Sequence, residues 1–223
     1  VGIRERKERE RFQRRAAILA SARTAFIKHG LATTSMERIA KEAELAKGTL
    51  YLYFSSKDEL LMGLIAADLE VLHERLHNVK SSSLPADRKL LQAFLEFHAF
   101  SRENQFFFQV MTQLNVAQIV GGEHSQETFD KFSQANQTIL DIVKHIVQEG
   151  VDTGVFQLHA SVHDVIIQLT LAIKGSIVII KNNMVPSFWI RQEECELLEQ
   201  VVQMLIRGIS RGPSTVILKE SSQ

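Results

Sequence analysis

The sequence predicts an all-α protein of about nine helices, a small head of three followed by a larger helical body. Three observations carry this. Apolar residues recur at a helical period through nearly all of the 223 residues, with no alternating strand pattern joined to turn chemistry. The three prolines, Pro85, Pro186 and Pro213, all fall at candidate helix boundaries. The charge is also unevenly divided: residues 1–57 hold 13 Lys and Arg against 6 Asp and Glu, and the remainder hold 13 against 20. A cationic quarter on an acidic remainder fits a head that meets a polyanion and a body that does not. The alternating Arg and Glu between Arg4 and Arg15 also fit a solvated helical face.

A first helix is expected from about Arg9 to His29, with Ile18, Leu19, Ala22 and Phe26 inward and Gly30 as its stop. Thr34 and Glu37 then read as a capping box, and Ser56 and Glu59 as a second. Between them lie two short helices and a tight turn. Ile39, Ala40 and Ala43 supply one small apolar face, Leu50 and Phe54 another. Helices this short must pack on a third. Their outward residues, Lys47, Thr49, Tyr51, Tyr53 and Lys57, are all hydrogen-bond donors suited to phosphates and base edges. That is the arrangement of a DNA-reading helix-turn-helix. Tyr51 and Tyr53 lie two apart and face different ways, so one reaches phosphate while the other packs, or both cover the core. Leu52 is placed to touch a thymine methyl.

A fourth helix is expected from Lys57 to about Val79, where residues 81–85 break it. The fifth, from Pro85 to about Ser101, groups Leu91, Phe94, Leu95 and His98. The sixth, near Asn104 to Leu114, groups Phe107, Val110, Met111 and Leu114, and Gly121–Gly122 marks a loop. The seventh, about Ser125 to Val151, aligns Phe129, Phe132, Asn136, Ile139, Leu140, Val143 and Val147, with Gly150 and Gly154 ending it. Eight of the 13 Phe fall between Phe94 and Phe132, which reads as a Phe-rich core or as a pocket. His98 and Asn136 on the same stripes favour a pocket lined by Phe94, His98, Phe107, Met111, Phe132 and Asn136. Such a pocket suits a mainly apolar effector, aromatic or acyl.

The eighth helix, about Ser161 to Lys181, is apolar on most of its circumference. Asp164, Gln168 and Lys174 interrupt it, which argues against a membrane span. A helix apolar all round asks to be buried all round. With the ninth, about Gln192 to Ile209, it reads as a homodimer interface through Ile167, Leu171, Gly175, Ile179, Leu198, Val202 and Leu205, with Gly212–Pro213 as the stop.

Other classes find little support. With 45% hydrophobic and 23% charged residues the chain is an ordinary globular protein. The single cysteine, Cys195, excludes an internal disulfide and points to a reducing cytoplasm, and no secretory signal is expected behind the charged start. No nucleophile elbow, zinc-protease motif or phosphate loop is present, so neither an enzyme nor a cofactor is expected. His73/His77 and His159/His163 have a spacing that can place two imidazoles on one helix face, but no third ligand accompanies either pair, and no metal is expected.

Thr33-Thr34-Ser35-Met36-Glu37-Arg38-Ile39-Ala40, then Gly48-x-Leu50-Tyr51-x-x-Phe54 and Lys57-Asp58-Glu59-Leu60, resemble the TetR family of bacterial transcriptional regulators over about residues 12 to 72. The resemblance implies a DNA-binding domain at 12–72, with its helix-turn-helix at 35–54 behind a basic arm at 1–11. A ligand-binding and dimerisation domain follows at 73–212, then a tail at 213–223. It implies a homodimer on a palindromic operator of double-stranded DNA, released by a small molecule and most simply a repressor. An activator of the same family, or a structural protein that packages DNA without sequence choice, are the alternatives. By the family pattern Thr34 and Lys57 hold phosphates, Tyr51 and Tyr53 brace the backbone, and Lys47, Gly48 and Thr49 approach base edges. Helix four would carry the effector's signal by tilting. Two departures stand out. Glu44 occupies a turn position where the family usually has Gly, and Ala46 stands where a Ser often caps the recognition helix.

Overall fold

A computed structural model describes residues 2–113, 124–182, 184 and 193–210, apart from the side chains of residues 111–113. Among the described residues every regular element is an α-helix. They are α1 Ile3–His29, α2 Met36–Glu42, α3 Lys47–Tyr51, α4 Lys57–Lys80, α5 Ala86–Glu103, α6 Gln105–Gln113, α7 Gln126–Asp152, α8 Val162–Lys181 and α9 Glu194–Ser210. The expectations at Leu114, Gly121–Gly122, Pro186, Gln192, Gly212–Pro213 and the tail 213–223 lie outside the described residues, as does the Met111 side chain. The helices form two packing units, residues 1–71 with 101–137 and residues 72–100 with 138–223.

In the first unit, α1 starts ahead of the expected Arg9. Its opening turns carry ion pairs rather than apolar contacts: Arg4 with Glu8 (3.1 Å), Arg6 with Glu10 (3.4 Å), and the Gly2 N–H on Glu5 (3.0 Å). Each such pair contributes a few tenths of a kcal/mol, enough to keep a helix going without burial. None of residues 3–17 is buried. From Ile18 onward Ala22, Ala25 and Phe26 enter the core. Gly30 then stops the helix at φ +85°, as expected.

The predicted Thr34–Glu37 capping box does not form, and a simple N-cap lies one residue later. Thr34 is turned inward, its hydroxyl donating to the carbonyls of Gly30 (2.7 Å) and Ala25 (3.3 Å), and Ser35 caps α2 by accepting from the Arg38 N–H (3.3 Å). Helix α2 ends in a Schellman turn: the Leu45 N–H reaches the Ala40 carbonyl (2.9 Å) and the Glu44 N–H that of Lys41 (3.1 Å). Glu44 therefore takes φ +55°, and among the described residues it is the sole non-glycine at positive φ. Met36, Ile39, Leu50 and Phe54 are buried, as are Leu60, Leu61 and Leu64 of α4. Helix α6 and the start of α7 belong to this unit, with Phe106 stacked on Phe26 (5.8 Å between centroids) and Phe107 and Phe132 buried.

The second unit buries Leu72, Leu76 and Val79 of α4, Leu90 and Leu91 of α5, Ile142, Ile146 and Val147 of α7, and one face each of α8 and α9. The ammonium of buried Lys89 donates to both carboxylate oxygens of Glu149 at 2.9 Å, tying α5 to α7. Ser161 caps α8 by accepting from the Asp164 N–H (3.2 Å). Gly154 follows the end of α7 at φ +75°, but Gly150 lies inside the helix and does not end it. The Phe156 ring lies against Gly150, with the Phe156 N–H on the Gly150 carbonyl (2.9 Å), and a methyl at that Cα would overlap the ring. Gly150 is thus a packing residue.

Candidate nucleic-acid interface

Helix α3 projects from a buried base. Leu50 and Phe54 anchor it in the core, leaving Lys47 and Gly48 exposed at its first turn, Thr49 half-buried, Tyr51 43% exposed and Leu52 82% exposed. Gly48 has open space where a Cβ would stand, so nothing within its own chain requires glycine there. Glycine at an exposed helix start with no internal cause leaves room for another molecule's backbone. The Lys47 ammonium is hydrogen-bonded to the Glu37 carboxylate of α2, which raises the lysine pKa and lowers that of the acid. Both groups are exposed, so the pair is easily exchanged for a phosphate or base edge.

Two predicted contacts are occupied within the head. The Lys57 ammonium donates to the Leu31 carbonyl (2.9 Å), holding the start of α4 against the turn after α1. Thr34, buried as described, serves the same turn. Tyr53 is half-buried, and its carbonyl accepts from the Arg15 guanidinium (3.2 Å). That arginine was not singled out from sequence. It also donates to the Thr128 hydroxyl (2.7 Å) and lies 4.2 Å over the Phe54 ring, joining the end of the helix-turn-helix to the start of α7. Beside it, buried Glu59 accepts from the N–H and hydroxyl of Ser55 (both 2.7 Å), the Thr128 hydroxyl (2.8 Å) and the Ser125 hydroxyl. Burial pushes the Glu59 carboxyl up, but these hydrogen bonds outweigh it and lower its pKa to about 2. The second capping box is present in modified form: Ser56 accepts from the Glu59 N–H (3.0 Å), while Glu59 reaches back to Ser55.

The predicted pocket residues fall into both units, Phe94 and His98 in the second, Phe107, Phe132 and Asn136 in the first. Phe94 and His98 line a crevice with Ile173, Ile177, Leu198 and Val202 whose cavity is about 10 Å³, room for no more than one water. The two polar signals have protein partners: His98 Nε2 meets a Glu194 carboxylate oxygen at 3.2 Å, and the Asn136 amide donates to the Phe132 carbonyl (2.9 Å). Of the predicted interface residues, Ile167, Leu171 and Ile179 are exposed on α8 and Gly175 is half-exposed between them, while Leu198 and Val202 are buried inside the second unit and Leu205 is half-buried. The ring centroids of His73 and His77 are 5.8 Å apart. His159 precedes the cap of α8 and bonds Gln168 (2.9 Å), so it does not share a helix with His163. No group of three potential metal ligands occurs among the described residues.

Among the described residues the head presents a short, exposed-faced helix behind a tight turn, the geometry of a helix-turn-helix, and the proteins this chain is similar to are transcriptional regulators. Residues 18–63 match the family model of bacterial regulatory proteins, tetR family. The uncharacterized HTH-type transcriptional regulator YhgD of Bacillus subtilis is 26% identical over 141 residues, covering 63% of this chain and 71% of that protein. The fatty acid metabolism regulator protein of the same organism is 25% identical over 138 residues, 61% and 68% of the two chains. In structure, the transcriptional regulator FadR from Bacillus subtilis, solved in complex with stearoyl-CoA, superposes with a TM-score of 0.67 at 20% identity, covering 87% of this chain and 98% of that one. Residues 18–63 thus match a TetR-type DNA-binding domain, and the chain as a whole is similar to TetR-type regulators in sequence and in fold.

Proposed function

We propose that this regulator is a repressor that binds a palindromic operator as a homodimer in the bacterial cytoplasm and is released by a small, mainly apolar effector. The observation that carries the DNA reading is the start of α3, where exposed Lys47, a glycine without an internal role and Thr49 stand together beside Tyr51. Lys47, Gly48 and Thr49 approach base edges, while Tyr51 and Tyr53 hold phosphates and Lys57 acts from within the head, its ammonium committed to the Leu31 carbonyl. Thr34 contributes indirectly, by fixing the turn that carries α2. The dimer reading is supported by the exposed apolar stripe Ile167, Leu171, Gly175 and Ile179 on α8 with Met204 and Leu205 on α9.

For the effector, the fatty acid relative and the stearoyl-CoA complex of its structural neighbour favour a long-chain acyl-CoA over an aromatic compound. The near-closed crevice beside Phe94 and His98 would have to open to admit any acyl chain. Helix α4, unbroken from Lys57 to Lys80, carries the coupling. Operators selected from a random duplex library should read as inverted repeats. Stearoyl-CoA should then weaken operator binding by 1–3 kcal/mol, roughly 5- to 150-fold, with free CoA inert. If stearoyl-CoA and other compounds that demonstrably bind leave operator affinity unchanged, ligand control is rejected. Lys47→Ala should also shift the preferred operator, costing about 1–3 kcal/mol on the original site, whereas Tyr51→Ala should weaken all duplexes alike. Equal losses for Lys47→Ala on operator and random DNA would remove its base-reading role.

A further inference from the structure

The first four turns of α1 are an exposed helix without an apolar reason to exist. Their charges are not scattered. Lys7, Arg11 and Arg14, at i, i+4 and i+7, lie on one side and, with Glu10, Gln13 and Ala17, line an open groove whose far wall is Tyr53, two residues beyond α3. The groove is open to solvent and has a volume of about 600 Å³. The acids on this stretch are largely committed: Glu8 pairs with Arg4, and Glu10, the one acid in the groove, pairs with Arg6. Arg11 reaches Glu127 at 3.5 Å between groups that are both about half or more exposed, a weak contact. Lys7 and Arg14 have no ion-pair partner among the described residues. Two of the three cations lining the groove with Tyr53, Lys7 and Arg14, are therefore left uncompensated.

The geometry points to this face as a second DNA surface, a cradle for the sugar-phosphate backbone beside the one reached by α3. Because it extends the DNA-binding reading proposed above, duplex DNA is its occupant. Charge complementarity supports the choice, since a polyanion is what an uncompensated row of Lys and Arg fits. So does position, since Tyr53 belongs both to this groove and to the residues assigned to phosphate. From Lys7 to Arg14 the helix rises ~10 Å, about three base-pair steps of 3.4 Å. Long flexible cations on a helix with no base-edge geometry of their own add affinity to every sequence alike.

The test measures binding of the full chain to a random-sequence duplex of about 40 base pairs by fluorescence anisotropy, from ~50 to ~200 mM salt. Removing both free cations with Lys7→Gln and Arg14→Gln should lower the slope of log K against log salt by about two for each chain bound. The salt-induced loss of affinity should then be roughly 10-fold smaller per chain. Arg9→Gln, on the opposite side of the same helix, supplies the control and should leave the slope close to that of the unmodified chain. All three positions are exposed, and circular dichroism should register unchanged helix content. An unchanged slope in the double variant overturns the proposal, as does an equal fall with Arg9→Gln. Loss of binding to phosphatidylserine vesicles with the DNA slope intact would reassign the face to lipid headgroups and overturn it too. An unmodified chain without salt-dependent DNA binding would instead sink the DNA-binding reading itself.

Discussion

Glu44 occupies a backbone conformation that disfavours any side chain with a Cβ. The Schellman turn after α2 forces φ +55° on it, at a cost of about 1–2 kcal/mol for an L residue. Glu44→Gly should therefore stabilise the head by up to about 1 kcal/mol, seen as a higher urea midpoint at unchanged m. A lower midpoint would mean that the glutamate side chain holds something of greater worth. Ala46 starts α3 with no side-chain cap, and Ala46→Ser should add about 1 kcal/mol by the same measurement. Both sites were legible as departures from a familiar motif. Glu59 was legible only as a capping residue; its burial under Ser125 and Thr128 was not, because those hydroxyls lie 66 and 69 positions away. With its folded pKa at about 2, below the ordinary carboxylate value of 4.5, its stabilisation is complete above about pH 4.5 and is lost as pH falls toward 2. Glu59→Gln should flatten the acid limb of a stability–pH curve in that interval and cost about 1–3 kcal/mol at pH 7. An equally steep limb in the variant would assign acid lability elsewhere.

Helices were readable from the period, but their internal glycines were not. Gly150 looks like a stop because glycine commonly ends helices, yet here it admits the Phe156 ring into α7. The local sequence holds no sign of this, since the ring arrives only after the chain turns back. Gly150→Ala should destabilise by about 1–3 kcal/mol through overpacking. Gly208→Ala, with open space at its Cβ in α9, should gain roughly 0.5–1 kcal/mol. Thermal melts of the two variants should thus move in opposite directions. The basic arm gives the converse lesson. Apolar spacing begins α1 too late, because i,i+4 ion pairs extend a helix that no core requires.

For the assembled protein, the exposed stripe of α8 is where a partner copy is expected. Leu171, 69% exposed at its centre, is the most accessible of the set, and Leu171→Asp should halve the mass seen by sedimentation at micromolar concentration while leaving helix content intact. A variant that sediments as the unmodified chain does would move the interface off α8. The sequence marked α8 and α9 together as apolar surplus, and both do carry exposed apolar residues. It did not distinguish inward from outward stripes on α9, where Leu198 and Val202 are consumed by the core of their own unit.

Period, charge division and the helix-turn-helix motif were enough to predict the helices of the described residues, a cationic head and the likeness to TetR-type regulators, because these depend on neighbours within about a turn or on composition. Which hydroxyl caps α2, which lysine of the head is left exposed, how His98 and Asn136 are satisfied and why Gly150 must be small all emerged only from folding. Each of those turns on a hydrogen bond or a van der Waals contact. Such short-range forces act between groups that the chain brings together only when its helices pack.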